Sequence, residues 1–365
     1  MRLNMTQPVS VPLTVFEQLT PQQQLEHLHS VAERALACWG LRSGAGLTLL
    51  SLSENATFRV SRAGHSEPLI MRVHRTGYHS REAIRTELAW MAALQQQAGV
   101  QTPQALAGSN GDMIQSVKTL NLEEERFVVM FHLIPGAAPD EAELIAPFKR
   151  LGAVTARMHN HARGWTRPAY FERLIWDYDG CLGQRKHWGD WRDGPGLDQA
   201  GKALLEQVDE LLHTRLLRYG MGPQRFGLIH ADLRLANLLE SDGDTRVIDF
   251  DDAGLGWFLY DLAGAVSFIE TRADLPQLID AWVAGYQTQG QLSAADIAEI
   301  PTFIMLRRLT LLAWVASHAN TELAQSQGEA FTAGTVELGR KYLQHMRVET
   351  AEAIQCAMLT DTLYG

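Results

Sequence analysis

The sequence is poor in cysteine and in positive charge. Its three cysteines, Cys38, Cys181 and Cys356, stand far apart and form no CxxC spacing. An odd, scattered set of this kind argues against a disulfide framework or a zinc knuckle and favours a reducing compartment. The formal net charge is −10. Such a surface repels nucleic acid and acidic membranes, so we expect neither as a partner.

Long apolar runs are also lacking. Residues 1–20 carry neither a continuous apolar core nor a small-residue cleavage pattern, so we expect no signal peptide and a cytoplasmic protein. The most apolar helical segment, residues 301–316, contains Arg307 and Arg308 at its centre, which makes it too short and too charged for a comfortable membrane span. The sequence leaves open whether these arginines form internal ion pairs or whether one of them faces a cleft.

The sequence does contain a clear change of pattern near residue 134. Before it, alternation and turn residues predict strands at residues 47–52, 58–61, 68–74, 113–119 and 126–132, and helical spacing predicts helices at 21–39 and 80–97. After Pro135 and Gly136 the pattern is mainly helical. We therefore predict an α+β chain with a helical extension (1–46), a sheet-rich N-lobe (47–134), a mainly helical C-lobe (135–346) and a tail (347–365).

Polar side chains interrupt apolar runs in the second of these lobes. Asp232 and Asn237 lie in the run LIHADLRLANLL, and an amide in such a run costs about 1–3 kcal/mol unless it has a partner. A short strand pattern then leads to Asp249, and alternation places Asp251 on the same side if the chain stays extended there. Carboxylate and amide oxygens suit magnesium rather than zinc. Phosphoryl transfer needs such a cation, together with a carboxylate that takes the proton of the acceptor hydroxyl.

The pattern H-x-D-x-x-x-x-N that begins at His230, followed by the triplet I-D-F at 248–250, resembles the signatures of the phosphotransferase enzyme family. That family includes aminoglycoside phosphotransferases, choline kinases and a bacterial stress-response Ser/Thr kinase. The resemblance spans residues 47–316. It implies a protein-kinase-like two-lobed fold, with an antiparallel sheet and a helix in the N-lobe.

The resemblance also implies roles for individual residues. Asp232 is the implied catalytic base, and Asn237 and Asp249 are the implied magnesium ligands. Asp261 is expected to brace the catalytic loop, and His230 to shape that loop by packing. No role follows for the two carboxylates after Phe250.

On the nucleotide side, the resemblance points to backbone and side-chain groups in the first lobe and the connection after it. The implied ATP-binding residues are Asn55, Thr57, Arg72, Glu87, His132 and Ile134. The turn SENAT contains no glycine, and an ordinary polar turn is an equally open interpretation of it. Arg72 stands where kinases carry a lysine that pairs with a helix glutamate, here Glu87. The alternative for Arg72 is an outward-facing surface arginine.

Residues 171–194 are rich in tryptophan and aspartate. They predict either a wall for a cationic amine or, as the favoured interpretation, a loop packed by its own tryptophans. We predict an ATP- and Mg²⁺-dependent kinase that phosphorylates a hydroxyl of a small molecule, such as an amino alcohol, a hydroxy amino acid or an aminoglycoside. The alternatives are a Ser/Thr protein kinase and a nucleotide-binding module without turnover. A metal-dependent phosphohydrolase ranks last, because the histidines are scattered.

Overall fold

The structure is a computed structural model that describes residues 16–41, 45–52, 55–118, 122 and 124–364, with the side chains of residues 17 and 348–364 excepted. Its contacts divide the chain into two units. The first comprises Met1–Leu88 and Pro103–Leu133, and the second comprises Ala89–Thr102 and Ile134–Gly365.

The first unit is built on an antiparallel sheet. Its strands are β1 (Ala45–Leu52), β2 (Ala56–Arg62), β3 (Leu69–Val73), β4 (Ala105–Leu106), β5 (Ile114–Lys118) and β6 (Glu125–His132). The order across the sheet is β1-β2-β3-β6-β4, and β5 also pairs with β6. The five strands predicted from alternation are therefore present. The sequence pattern missed β4 because two residues are too short to show alternation.

Helix α1 (Pro21–Ala35) begins as its sequence predicts. The Thr20 hydroxyl accepts the Gln23 N–H, and the Gln23 side chain accepts the Thr20 N–H at 3.0 Å, which completes a capping box. The helix packs its apolar face into the core of the sheet, with the buried residues Leu28, Val31, Ala32 and Ala35. Helix α2 (Arg81–Ala98) follows β3, and its residues after Leu88 belong to the second unit.

The second unit is mainly helical. Its helices are α3 (Ile145–Gly164), α4 (Tyr178–Cys181), α5 (Gln199–Tyr219), α6 (Phe258–Ala265), α7 (Leu275–Tyr286), α8 (Ala294–Ala298), α9 (Ile300–Ser317) and α10 (Glu322–Tyr364). Two small sheets accompany them, built from β7 (Leu174–Trp176), β8 (Phe226–Ile229), β9 (Leu238–Ser241), β10 (Asp244–Val247) and β11 (Gly254–Trp257). One is the β9–β10 hairpin, and the other has the order β7-β11-β8.

The three-stranded sheet depends on a close backbone approach that the sequence does not announce. Strand β11 was not predicted, because the sequence pattern after Pro135 and Gly136 is mainly helical. A Cβ atom at Gly254 would lie 2.5 Å from the carbonyl oxygen of Leu174. Glycine therefore lets β11 lie against β7 in parallel register.

Helix α9 is a core helix of this unit. It is long and apolar enough to cross a membrane by length and composition, but 78% of it is buried inside the protein. Arg307 and Arg308 are both buried, with exposed fractions of 1% and 4%. Because a buried guanidinium needs partners, the contacts of these two side chains show which parts of the second unit α9 holds in place.

Candidate active site

The loop between β8 and β9 contains the residues that the sequence analysis singled out. Ala231 has φ of +69°, a left-handed conformation that disfavours a residue with a Cβ atom. Such a conformation persists only where surrounding contacts impose it. After Asp232, a short 3₁₀ turn (Leu235–Asn237) leads directly into β9.

Asp261 of α6 imposes that loop conformation. Its Oδ1 accepts the Ala231 N–H at 2.7 Å, and its Oδ2 accepts the His230 N–H at 3.2 Å. The His159 Nε2 atom lies 2.9 Å from the same Oδ2, and the His159 Nδ1 atom lies 3.0 Å from the hydroxyl of Tyr286. The prediction that Asp261 braces this loop is confirmed by these contacts.

Both carboxylate oxygens of Asp232 are engaged by cations or amides. Oδ2 accepts from Asn237 Nδ2 at 2.7 Å and from Arg234 Nε at 3.2 Å. Oδ1 accepts from Arg307 Nη2 at 2.5 Å. Burial opposes ionisation of the carboxyl, but the charges of Arg234 and Arg307 outweigh it and hold the pKa of Asp232 below its usual range. Asp232 is therefore an oriented carboxylate at neutral pH.

The amide of Asn237 has a defined orientation. Its Nδ2 group donates to the main-chain oxygen of Asp232 at 2.8 Å as well as to the carboxylate. Two acceptors on the nitrogen fix which end of the amide is which. The amide oxygen therefore points away from these two acceptors, and an oxygen ligand of this kind suits Mg²⁺ or Ca²⁺.

Backbone pairing brings Asp249 next to Asn237. The Ile248 N–H donates to the main-chain oxygen of Asn237 at 2.9 Å. Asp249 is the next residue; its side chain is exposed, and its φ is +60°. The structure thus places Asp232, Asn237 and Asp249 in one hydrogen-bonded neighbourhood of the second unit.

The segment after Asp249 does not stay extended. Strand β10 ends at Val247, and the positive φ of Asp249 turns the chain. The condition under which Asp251 was expected to lie on the same side as Asp249, an extended chain, is therefore not met. Asp251 is buried at 4% exposure, whereas Asp252 is half-buried.

This turn is held by side chains that bind its carbonyl oxygens. Arg173 donates to the main-chain oxygen of Phe250 at 3.2 Å and also to those of Asp251 and Ala253. Trp176 donates its indole N–H to the main-chain oxygen of Asp252 at 2.7 Å. The backbone that follows the exposed residue Asp249 is thus held by Trp176 of β7 and by Arg173, the residue just before β7.

His230 connects the two loops as a neutral ring. Its Nδ1 accepts the Asp232 N–H at 3.2 Å, and its Nε2 lies 3.1 Å from the Ile248 carbonyl, to which it donates. Burial lowers the pKa of His230. The ring centroid lies 4.5 Å from that of Phe250. The prediction that His230 shapes the loop, rather than acting as a base, agrees with these contacts.

In the first unit, Arg72 and Glu87 form the predicted ion pair. Arg72 Nη2 lies 2.7 Å from Glu87 Oε1, and both side chains are buried. The guanidinium lies over the ring of Phe131, 5.3 Å from its centroid. Thr57 is the cross-strand partner of Arg72 and so shares its face of the sheet. The interpretation of Arg72 as an outward-facing surface arginine is excluded.

The other residues implied on the nucleotide side are placed as follows. Asn55 is buried, and its side-chain oxygen accepts the Arg75 N–H at 3.1 Å. Ser53 and Glu54 of the same turn lie outside the described residues. His132 ends β6 with an exposed side chain, and its N–H donates to the Gln104 carbonyl at 2.9 Å. Ile134, half-buried, is the first residue of the second unit after β6.

Comparison with known proteins agrees with this geometry. Residues 47–297 match the profile of the phosphotransferase enzyme family. The chain belongs to this family. Membership confirms the predicted protein-kinase-like α+β fold and the predicted kinase activity toward a hydroxyl group.

Several kinases resemble this phosphotransferase along most of its length. A structure of a microcompartment-associated aminopropanol kinase is 42% identical, has a TM-score of 0.80, and covers 87% of this chain and 98% of its own. An amicoumacin kinase of Bacillus subtilis (strain 168) is 25% identical over 79% of this chain and 85% of its own length. A structure of an amicoumacin kinase in complex with AMP-PNP, Ca²⁺ and Ami is 20% identical, has a TM-score of 0.71, and covers 88% of this chain and 95% of its own.

The tryptophan-rich loop of this phosphotransferase is a packed structure. Its buried tryptophans are Trp176, Trp188 and Trp191. Asp177 caps α4 and pairs with Arg185, while Asp190 caps a 3₁₀ turn and pairs with Lys186. Since these carboxylates have cationic partners within the loop, the favoured interpretation of a self-packed loop is confirmed.

Sequence reasoning missed the residues that hold the site from a distance. Three residues that contact the loops of the site were assigned no role there from the sequence: Arg307, Arg173 and His159. The pair Arg307–Arg308 inside an apolar helix was the only signal, since two buried cations in one helix require partners. Nothing in the sequence identifies which partners they have.

Proposed function

We propose that this phosphotransferase transfers the γ-phosphoryl group of ATP to the hydroxyl of a small amino alcohol, with Mg²⁺ as its cation. The observation that carries the proposal is the 2.7 Å contact between the Asp232 carboxylate and the Asn237 amide, with Asp249 joined to them through the backbone. The 42% identity with an aminopropanol kinase supports an amino alcohol as acceptor. The net charge of −10 also favours encounter with a cationic molecule.

In this proposal, Asp232 receives the acceptor hydroxyl. The carboxylate is ionised, so it accepts a hydrogen bond from the hydroxyl and aligns its oxygen toward the phosphorus. A carboxylate whose pKa is low is a weak base toward a neutral alcohol. Proton transfer to Asp232 therefore occurs late, when the forming O–P bond has made the hydroxyl acidic.

Asn237, through its amide oxygen, and Asp249, through its exposed carboxylate, would hold the divalent cation. A cation bound there neutralises negative charge on the phosphate oxygens. The amide nitrogen of Asn237 meanwhile keeps the Asp232 carboxylate in place. Mg²⁺ would suit this pair because both donors are hard oxygen atoms.

We assign the nucleotide to the residues implied by the family resemblance. In the first unit, Arg72, held by Glu87, is the phosphate contact, and Asn55 and Thr57 flank it. The His132 carbonyl and the Ile134 N–H are the adenine contacts, since Pro135 has no N–H to offer. We also propose that the enzyme is cytoplasmic, because its few scattered cysteines fit a reducing compartment.

The test is transfer from ATP to a panel of acceptors with purified protein. The panel contains 1-amino-2-propanol, ethanolamine, homoserine, an aminoglycoside and a Ser/Thr peptide. We expect the amino alcohols to have the highest kcat/KM, and Mg²⁺ to support the reaction better than Ca²⁺. Preference for the peptide or the aminoglycoside would overturn the acceptor class, and Ca²⁺ exceeding Mg²⁺ would overturn the cation.

Variants test the site itself. Asp232→Ala and Asp249→Ala should each lose about a thousandfold or more in kcat. Asp249→Ala should in addition raise the Mg²⁺ concentration needed for nucleotide binding. The matched control is Asp242→Asn, a 90% exposed carboxylate in the β9–β10 turn, which should keep wild-type activity. Normal transfer by Asp232→Ala would end the proposal.

A further inference from the structure

Arg307 lies outside the region that matches the family profile, which ends at residue 297. It is nonetheless the residue of α9 that reaches the catalytic loop. Its side chain is 1% exposed, and its Nη2 contacts the Asp232 carboxylate at 2.5 Å. A fully buried cation at this position needs an explanation, because burying a guanidinium is costly unless its donors are satisfied.

The donors of Arg307 bind three separate parts of the second unit. Nη1 donates to the main-chain oxygen of Ala231 at 3.1 Å and to the hydroxyl of Tyr260 at 3.4 Å. Nε donates to Ser267 Oγ at 3.1 Å. One planar group thus links the catalytic loop, helix α6 and the segment after α6, and the fork geometry fixes their relative positions.

Aromatic rings fix the guanidinium itself. Its central carbon lies 4.9 Å from the ring centroid of Trp188 and 5.5 Å from that of Tyr260. Trp188 is in turn tied to α9, since its main-chain oxygen accepts the Ser317 hydroxyl at 2.6 Å. The arginine therefore has little freedom to move, and neither has the carboxylate oxygen that it binds.

We propose that Arg307 is a positioning residue for phosphoryl transfer: it sets the plane of the Asp232 carboxylate from the Oδ1 side. Asn237 and Arg234 hold the Oδ2 side, so loss of Arg307 leaves a carboxylate fixed at one oxygen. Loss of Arg307 also removes a hydrogen-bond donor to the carbonyl of Ala231, the residue with left-handed backbone conformation just before Asp232. This inference rests on the proposed function, since it assigns Arg307 a role through Asp232.

The neighbouring arginine supplies a matched control. Arg308 is buried at 4% exposure and pairs with Glu270 at 2.7 Å. It also donates to Thr335 Oγ1 at 2.9 Å and to the Phe331 carbonyl at 3.0 Å. These contacts join α9 to α10 and to the segment after α6, and none of them involves the catalytic loop. Arg308 therefore reports the cost of disturbing a buried arginine of α9 without touching Asp232.

The experiment compares Arg307→Lys with Arg308→Lys in the full chain, because lysine keeps the charge and loses the fork. We expect Arg307→Lys to lower kcat by about 30- to 100-fold, the size of effect that a misplaced catalytic group produces. KM for ATP and for the acceptor should each change by less than about threefold. Arg308→Lys should keep kcat within about threefold of the wild-type value. Its melting temperature should fall by about as much as that of Arg307→Lys.

Equal kcat in the two lysine variants, or a loss confined to KM, overturns the inference. If Arg307→Lys does not fold, Ser267→Ala replaces it, because this change removes the acceptor of Nε without touching Asp232. We expect Ser267→Ala to lower kcat by about three- to tenfold at unchanged KM, and a wild-type kcat overturns the inference. A wild-type enzyme without transfer, or one that does not need Asp232, would instead overturn the proposed function.

Discussion

The amide nitrogen of Asn237 contacts Asp232 twice, at the main-chain oxygen (2.8 Å) and at the carboxylate (2.7 Å). The two residues are five positions apart in the chain and are connected by a 3₁₀ turn. One side chain thus orients the proposed base with its nitrogen and presents its oxygen to the proposed cation. A substitution that removes only the nitrogen should therefore disturb the Asp232 carboxylate alone. One that removes both atoms should also weaken cation binding.

Asn237→Asp keeps an oxygen ligand and removes the N–H donor. It also places a second carboxylate beside Asp232, and like charges raise the pKa of one member of such a pair. We expect kcat to fall by at least about 100-fold and the acidic limb of the pH–rate profile to move to higher pH. Asn237→Ala should also lose rate and should in addition require more Mg²⁺, as measured by metal titration. A wild-type pH profile in Asn237→Asp would contradict this assignment.

Asp261→Asn tests the brace of the catalytic loop. The carboxylate accepts from two backbone N–H groups and lies beside His159, whereas an amide offers one oxygen and turns an N–H group toward these donors. We expect a loss of about 1–3 kcal/mol in the free energy of unfolding, measured with urea, together with reduced kcat. Asp274→Asn breaks an exposed pair with Arg272 and should change neither quantity measurably. Equal stability of the two variants would show that the brace is not needed.

Substitutions at Arg72 test the nucleotide side. Arg72→Lys keeps a cation opposite Glu87, whereas Arg72→Met removes it. If Arg72 contacts the phosphates, Arg72→Met should raise KM for ATP by about tenfold or more and leave KM for the acceptor nearly unchanged. Arg72→Lys should stay within about threefold of the wild type, since kinases use lysine here. Initial rates at varied ATP and varied acceptor separate the two constants, and equal increases in both would refute the role.

Two buried histidines make stability depend on pH. Burial lowers the pKa of His159 and of His230, despite the nearby Asp261. Their rings stay neutral in the folded protein, whereas in the unfolded chain they titrate near the ordinary value of 6.5. The unfolded state therefore binds protons first as pH falls, and stability is lost below about pH 6.5.

Urea unfolding at pH 7.5, 6.5 and 5.5 measures this effect. We expect the free energy of unfolding to fall from pH 6.5 to pH 5.5, by at most about 1.4 kcal/mol per pH unit for each of the two histidines. In His159→Gln, the free energy of unfolding should fall less steeply between pH 6.5 and 5.5, because only His230 still contributes to the slope. Parallel curves for the wild type and the variant would show that the pKa of His159 is the same in the folded and the unfolded state.

Much of the fold followed from local patterns. The capping boxes at Thr20 and Ser293 mark the starts of α1 and α8, because the first N–H groups of a helix lack backbone acceptors and side chains within one turn supply them. The strands of the first unit showed alternation, except for the two-residue strand β4. Strands β7 and β11 did not, because three or four residues are too few to show a period.

The direction of Asp251 shows the limit of local reasoning at the site. Alternation holds only while the backbone is extended, and the left-handed conformation of Asp249 ends it. Contacts of Arg173 and Trp176, far away in sequence, hold that turn. No periodicity rule applied to residues 245–252 contains those contacts.

The sequence by itself determined which residues we propose for the chemistry: the spacing of Asp232, Asn237 and Asp249 is a local property of one loop and one strand end. Only the tertiary structure decided how they are held. Arg307 meets Asp232 across 75 residues, and Asp261 meets His159 across 102. A buried charge takes whichever partner the packing of the helices brings to it, and that packing depends on the whole unit rather than on the neighbours of any one residue.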